Sequence, residues 1–166
     1  MALVKPVFFD TTVLLGGYID LGASSADAQH ILDAVSEGSV QHPRTAWHCC
    51  LEFYAVATRL PSGYRLAPQQ ALRLLEEILA SFRVEQLPGK ARRRFLEDSV
   101  RERVAGGRVY DAHIAEIARL SGAGTVVTDN RRHFTILMQH GIRVLRPSEF
   151  VDALSDRNHQ PTDADP

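Results

Sequence analysis

The stretch PVFFDTTVLLGG, Pro6 to Gly17, carries an apolar and aromatic segment straight into an aspartate, then two threonines and two glycines. Pro6 to Phe9 is short, rich in bulky side chains and bounded by turn formers, which is how a strand buried on both faces reads. An ionised carboxylate at the end of such a strand is expensive to remove from water unless a partner makes its charge useful. Asp10 therefore predicts a neighbour elsewhere in the chain.

A second stretch of the same character, GTVVT from Gly124 to Thr128, ends on another acid, Asp129. RVEQL, Arg83 to Leu87, and IRVLR, Ile142 to Arg146, are further strand candidates. Helical periodicity marks Ala26 to Glu37, Ala46 to Leu60, Pro68 to Ser81, Ala91 to Val104, Tyr110 to Leu120, Arg131 to His140 and Ser148 to Leu154. Alternating strands and helices predict an α/β fold around a mainly parallel sheet. In such sheets, sites form outside the carboxyl ends of the strands, so Asp10 and Asp129 are expected on the same sheet edge.

Composition narrows the class. The chain has 166 residues, 45% hydrophobic and 23% charged, with a net charge of -1, the profile of an ordinary globular domain. One domain is expected over residues 1–152, followed by a polar, turn-rich tail over 153–166 expected to lack order. Only Lys5 and Lys90 are lysines, so 17 of the 19 basic residues are arginine. Cys49 and Cys50 are adjacent in a helical run, a poor geometry for a bridge and no basis for a four-ligand zinc site. Lys5 and Asp10 interrupt the first apolar segment and no apolar run approaches a membrane span, so no signal peptide and no membrane role are expected, and the predicted location is cytoplasmic.

Two further acids are set apart by their surroundings. Glu52 is the only charge in CCLEFYAVA, on a helix too apolar to be a solvated element. Asp111 follows a double glycine in GGRVYDAHIAEIA and shares a face with Ile114, Ala115 and Ala118. Each acid also has a purely structural explanation: a turn or N-cap role for Asp10, Asp111 and Asp129, and an ion pair with Arg59 for Glu52. Four acids converging on one pocket would repel one another unless a cation sat between them, and a hard divalent ion such as Mg²⁺ or Mn²⁺ suits an oxygen-rich shell.

The ordered set FFDTT, LEFYAVATRL, GGRVYDAHIAEIA and VVTDNRRHF resembles the PIN domains, and the size and organisation resemble the VapC toxins of bacterial toxin–antitoxin pairs. The resemblance runs from about Val7 to about Phe150 and implies a three-layer α/β/α fold. It also implies a divalent-metal endoribonuclease acting on cellular RNA, neutralised by a cognate VapB-like antitoxin and forming a homodimer. Residue by residue, Asp10, Glu52, Asp111 and Asp129 match the family's four acids, implied as catalytic and metal-binding, with Thr12 supporting Asp10. Asp129 stands one position before the place four residues ahead of Phe134, which Asn130 occupies; Asn130 is thus an alternative or supporting oxygen.

Other chemistries fail on particular residues. A phosphoaspartate enzyme wants a second aspartate two positions after Asp10, where Thr12 stands, and a receiver domain wants a placed lysine. The segment GKAR lacks the remainder of a phosphate-binding loop. A non-toxin RNA-processing nuclease of the same fold, and a non-catalytic RNA-binding or protein-binding module, remain alternatives. His113 and His133 lack zinc spacing and read as ordinary surface histidines. The arginines of KARRRF with Arg101, Arg103 and Arg108 suit either RNA phosphates or a solvated helix face pairing with Glu97, Asp98 and Glu102. Leu51, Phe53, Tyr54, Leu72, Leu75 and Ile78 exceed what one helix face needs, so they suit either the core or a groove for a partner.

Overall fold

A computed structural model describes residues 4–158. Five strands form one sheet in the order β3-β2-β1-β4-β5, and every adjacent pair is parallel. The strands are β1 (Val7–Phe9), β2 (Pro43–Ala46), β3 (Arg83–Glu85), β4 (Thr125–Val127) and β5 (Arg143–Leu145). The helices are α1 (Thr11–Tyr18), α2 (Ala26–Ser36), α3 (Trp47–Ala57), α4 (Pro68–Ser81), α5 (Gly89–Arg101), α6 (Arg108–Leu120) and α7 (Pro147–Asn158). The main packing contacts join α1 to α2 and α3, α3 to α4, and α2 to α7, while α5 packs on α6 and α6 on β2. This is the α/β/α arrangement expected of the sequence.

The apolar strands are the core. Phe8 and Phe9 are fully buried, and the Phe9 ring meets Phe82 and Phe150 edge-on, each at 5.7 Å. Burying one such ring stabilises by roughly 1.5–3 kcal/mol, with about 0.5–1.5 kcal/mol more from each ring contact. α4 begins as its sequence suggests, with Pro68 in the first turn and the Gln70 side chain accepting the Ala67 N–H at 2.8 Å.

Four details differ from the sequence expectation. Pro43–Ala46 is a strand, held by pairing with both β1 and β3 and by the Thr45 hydroxyl donating to Phe9 O at 2.9 Å, so the expected helix at Ala46 begins at Trp47. Thr11–Tyr18 is a helix, packed so closely on α2 that a Cβ on Gly16 would stand 3.2 Å from the Ala28 Cβ. The expected helix over Arg131 to His140 is two 3₁₀ turns, Arg131–His133 and Thr135–His140, on either side of Phe134, whose φ of -112° and full burial interrupt the helical path. Finally, α7 runs to Asn158 with Leu154 buried against the core, so residues 153–158, expected to lack order, are helical; residues 159–166 of the expected tail lie outside the described residues. Among the described residues no helix is long and apolar enough to cross a membrane.

The strand order reverses between β1 and β4: the chain adds β2 and β3 on one side of β1, then returns to add β4 and β5 on the other. A crevice outside the carboxyl ends at such a reversal is where open parallel sheets bind ligands. Asp10 follows β1 directly and Asp129 lies one residue beyond Thr128 at the end of β4.

Candidate active site

Asp10 is the joint between β1 and α1. Its N–H donates to Val127 O at 3.1 Å, and its carbonyl accepts from the N–H groups of Val13 at 3.1 Å and Leu14 at 3.3 Å. By backbone it is the N-cap of α1, yet its carboxyl does not cap the helix. Instead the Thr128 hydroxyl donates to Oδ2 at 2.8 Å and the Thr12 hydroxyl at 3.2 Å. Each of these hydroxyls also accepts from the following loop: Thr12 Oγ1 from Asp129 N at 3.1 Å, and Thr128 Oγ1 from Asn130 N at 3.0 Å. The two threonines thus tie the 129–130 loop to Asp10.

Asp10 is only 3% exposed. Burial pushes its carboxyl up to about 6, opposed by hydrogen bonds from Thr128, the Thr11 backbone and Thr12, and reinforced by the negative charge of Glu52. Cys49 lies against the same carboxyl; burial and the charge of Asp10 push its thiol up to about 12, so it stays neutral. Both cysteines are buried and unbridged.

Glu52 comes from α3, held by Phe53 and Cys49, which are fully buried on either side of it in sequence. Its Oε2 accepts the Thr11 hydroxyl at 2.5 Å, so α1 carries one threonine to each acid. The ion pair with Arg59 considered from the sequence is not among those formed by the described residues.

Asp111 is in the first turn of α6, whose buried face of Ile114, Ala115 and Ala118 turns as its spacing predicted. The helix begins three residues earlier, at Arg108, entered through Gly106 at φ 59°. Its Oδ2 meets His133 Nδ1 at 2.8 Å. Asp129 is on the surface; partial desolvation raises its carboxyl, Arg146 opposes the rise and Asp27 adds to it. Asn130 follows on the same loop, fastened by Arg131, whose guanidinium reaches Glu149 at the start of α7 at 3.0 Å.

The structure therefore brings Asp10, Glu52, Thr11, Thr12 and Thr128 together and fixes the Asp129 backbone beside them, while Asp111 is engaged by His133. Among the described residues no three of His, Cys, Asp and Glu stand close enough together to hold a metal ion, so this conformation contains no four-acid cage. The donor set does fit a hard divalent ion of another style. Mg²⁺ is usually held by one or two carboxylates, with water and substrate phosphate completing its shell. A buried carboxylate that feels the charge of a second carboxylate supplies that kind of site.

Thr11 and Thr128 were not singled out by sequence, and His133, read there as an ordinary surface histidine, pairs with Asp111. Thr128 was visible as the hydroxyl residue closing a buried strand, but the contacts of Thr11 and His133 join segments far apart in the chain and left no local signal.

A family profile described as PIN domain matches residues 6–132. Ribonuclease VapC27 of Mycobacterium tuberculosis (strain ATCC 25618 / H37Rv) is 39% identical over 90 residues, which cover 51% of this chain and 60% of that protein. Less than two thirds of that relative is thus spanned. The crystal structure of Mycobacterium tuberculosis VapC20, described as a Sarcin-Ricin loop cleaving toxin, superposes with a TM-score of 0.56 at 17% identity, covering 72% of this chain and 86% of that one. VapBC2 from Rickettsia felis, solved with a DNA fragment from its promoter, superposes with a TM-score of 0.58 at 13% identity, covering 85% and 98%. At these identities the likeness is one of fold.

Proposed function

This chain belongs to the PIN-domain family, and from that premise we infer that it is a divalent-metal-dependent endoribonuclease, a VapC-like toxin that cuts cellular RNA in the cytoplasm and is neutralised by a VapB-like antitoxin. The observation that carries the reading is Asp10: a buried carboxylate at the strand reversal, raised to about 6 by burial, with the charge of Glu52 adding to the rise. A binding module for a polyanion has no use for two acids there.

Asp10 and Glu52 would hold Mg²⁺ or Mn²⁺, with Asp111 joining once it leaves His133 and Asp129 or Asn130 closing the far side. When bound, the ion supplies an acidified water and neutralises charge on the phosphate. The chain's own groups do the rest. Thr12 and Thr128 orient the Asp10 oxygens, and Thr11 orients Glu52. Arg108 and Arg132 share a cavity of about 270 Å³ with Asp111 and would grip RNA phosphate there. On α5, by contrast, Arg93, Arg94 and Arg101 pair with Glu97 and Asp98, which is the solvated-face alternative.

For partners, Leu51, Tyr54 and Leu72 are exposed on α3 and α4 together with Leu79, while Phe53 and Ile78 belong to the core and Leu75 is half-buried. The exposed set supports an apolar surface for an antitoxin segment or a second copy. The reading is tested by incubating structured and unstructured RNA with the protein in Mg²⁺, Mn²⁺ or excess EDTA, beside Glu52→Gln. Internal cleavage that needs the ion and falls at least a hundredfold in the variant is expected; equal cleavage in EDTA would refute it.

A further inference from the structure

We propose that the cavity between α3 and α6 binds one unstacked RNA nucleobase, on the residues Trp47, His48, Arg92 and His113. Its volume is about 270 Å³, room for a single base rather than a folded segment. Trp47, Leu51, Leu87 and Ile117 form its apolar lining, and Trp47 remains 44% exposed, leaving part of its indole accessible to a ligand. Every base offers a π-face to such a ring.

The polar groups decide the ligand. His48 Nδ1 and His113 Nδ1 are 3.1 Å apart, so in the neutral pair one ring donates and the other accepts through these nitrogens. That bond fixes opposite tautomers: one Nε2 is then an acceptor and the other carries a proton. Arg92 and Gln86 add further donors and an amide acceptor at the rim. An apolar side chain from a protein partner would strip water from these groups and return nothing, whereas a base edge presents alternating donors and acceptors. The ring array is continuous: Tyr110 lies 5.5 Å from His48, His48 5.1 Å from His113, and His113 5.5 Å from Phe95.

Position relates the cavity to the acids. His48 precedes Glu52 by four residues on α3, about 6 Å along the helix, and Tyr110 and His113 flank Asp111 on α6. A base seated here would belong to a nucleotide next to the cut phosphodiester, a placement that rests on the nuclease reading; base binding itself does not.

Trp47 is the sole tryptophan, so its emission reports directly. In EDTA, excited at the red edge where nucleosides are transparent, the protein is titrated with adenosine, guanosine, cytidine, uridine and, separately, ribose 5-phosphate. Saturable quenching by at least one nucleoside and none by the sugar phosphate is expected. Arg92→Ala and His113→Ala should weaken it about tenfold, in the range of a lost base contact, whereas Arg143→Ala, exposed on β5 at the opposite edge of the sheet, should bind as the parent does. Emission untouched by every nucleoside, equal quenching by ribose 5-phosphate, or a change that follows protein concentration alone, marking a contact between copies, would each overturn the proposal. Quenching without RNA cleavage would retain the base site and refute the nuclease; cleavage without quenching would do the reverse.

Discussion

The Thr128 hydroxyl donates to Asp10 Oδ2 at 2.8 Å, from the end of one strand to the end of its parallel neighbour. Because Thr128 is fully buried and its oxygen also accepts the Asn130 N–H, valine would keep the shape and remove both bonds. Thr128→Val should cost about 1–3 kcal/mol at neutral pH, the range for losing a hydrogen bond to a buried charged group. Denaturant unfolding measures the loss, and RNA cleavage should fall further than stability does, since the loop carrying Asp129 loses its tie.

Asp10 should make the protein more stable in mild acid. Its carboxyl titrates near 6 when folded and near 3.8 ordinarily, so between those values the folded state binds more protons than the unfolded one. Its contribution therefore falls as pH rises through that window, by on the order of 3 kcal/mol in all. Asp10→Asn removes the effect. Without divalent ions, the variant should match the parent near pH 4 and exceed it at pH 7, as read by chemical denaturation across pH. A variant equally destabilised at both values would contradict the assignment.

His133 holds Asp111 at 2.8 Å in this conformation. His133→Ala frees the carboxylate, so half-maximal cleavage should be reached at a lower Mn²⁺ concentration, with little change in unfolding because the pair is partly exposed. An unchanged metal requirement would show that Asp111 takes no part.

Gly17 lets α1 lie on α2. A Cβ there would stand 2.6 Å from Leu32 Cγ and 3.2 Å from the Ala28 carbonyl oxygen. Gly17→Ala should destabilise by about 1–3 kcal/mol despite alanine's better helix propensity, shown by a lower melting temperature.

The same glycines explain where the sequence misled. β1 and β4 were legible because strands buried on both faces are written as unbroken apolar runs. In α1, Gly16 and Gly17 weaken local helix preference and the helix is imposed by contact with α2, which no local pattern records. β2 was hidden for a related reason: Pro43 is a poor strand former, and Arg44 is held in the strand by its Nη1 donating to Glu85 and to Ser121 O, at 2.8 and 2.7 Å. For the site, the strand-end rule located Asp10 and Asp129 on one edge, whereas the threonine bonds and the His133–Asp111 pair depend on distant segments meeting.

The most direct test is Asp10→Asn, compared with the parent for RNA cleavage and for melting temperature with and without Mn²⁺. The account predicts a folded variant that Mn²⁺ does not stabilise and whose cleavage falls to background, beside a parent that Mn²⁺ both stabilises and activates. A folded Asp10→Asn protein that retains full cleavage, or a parent that cuts equally well in EDTA, would contradict it.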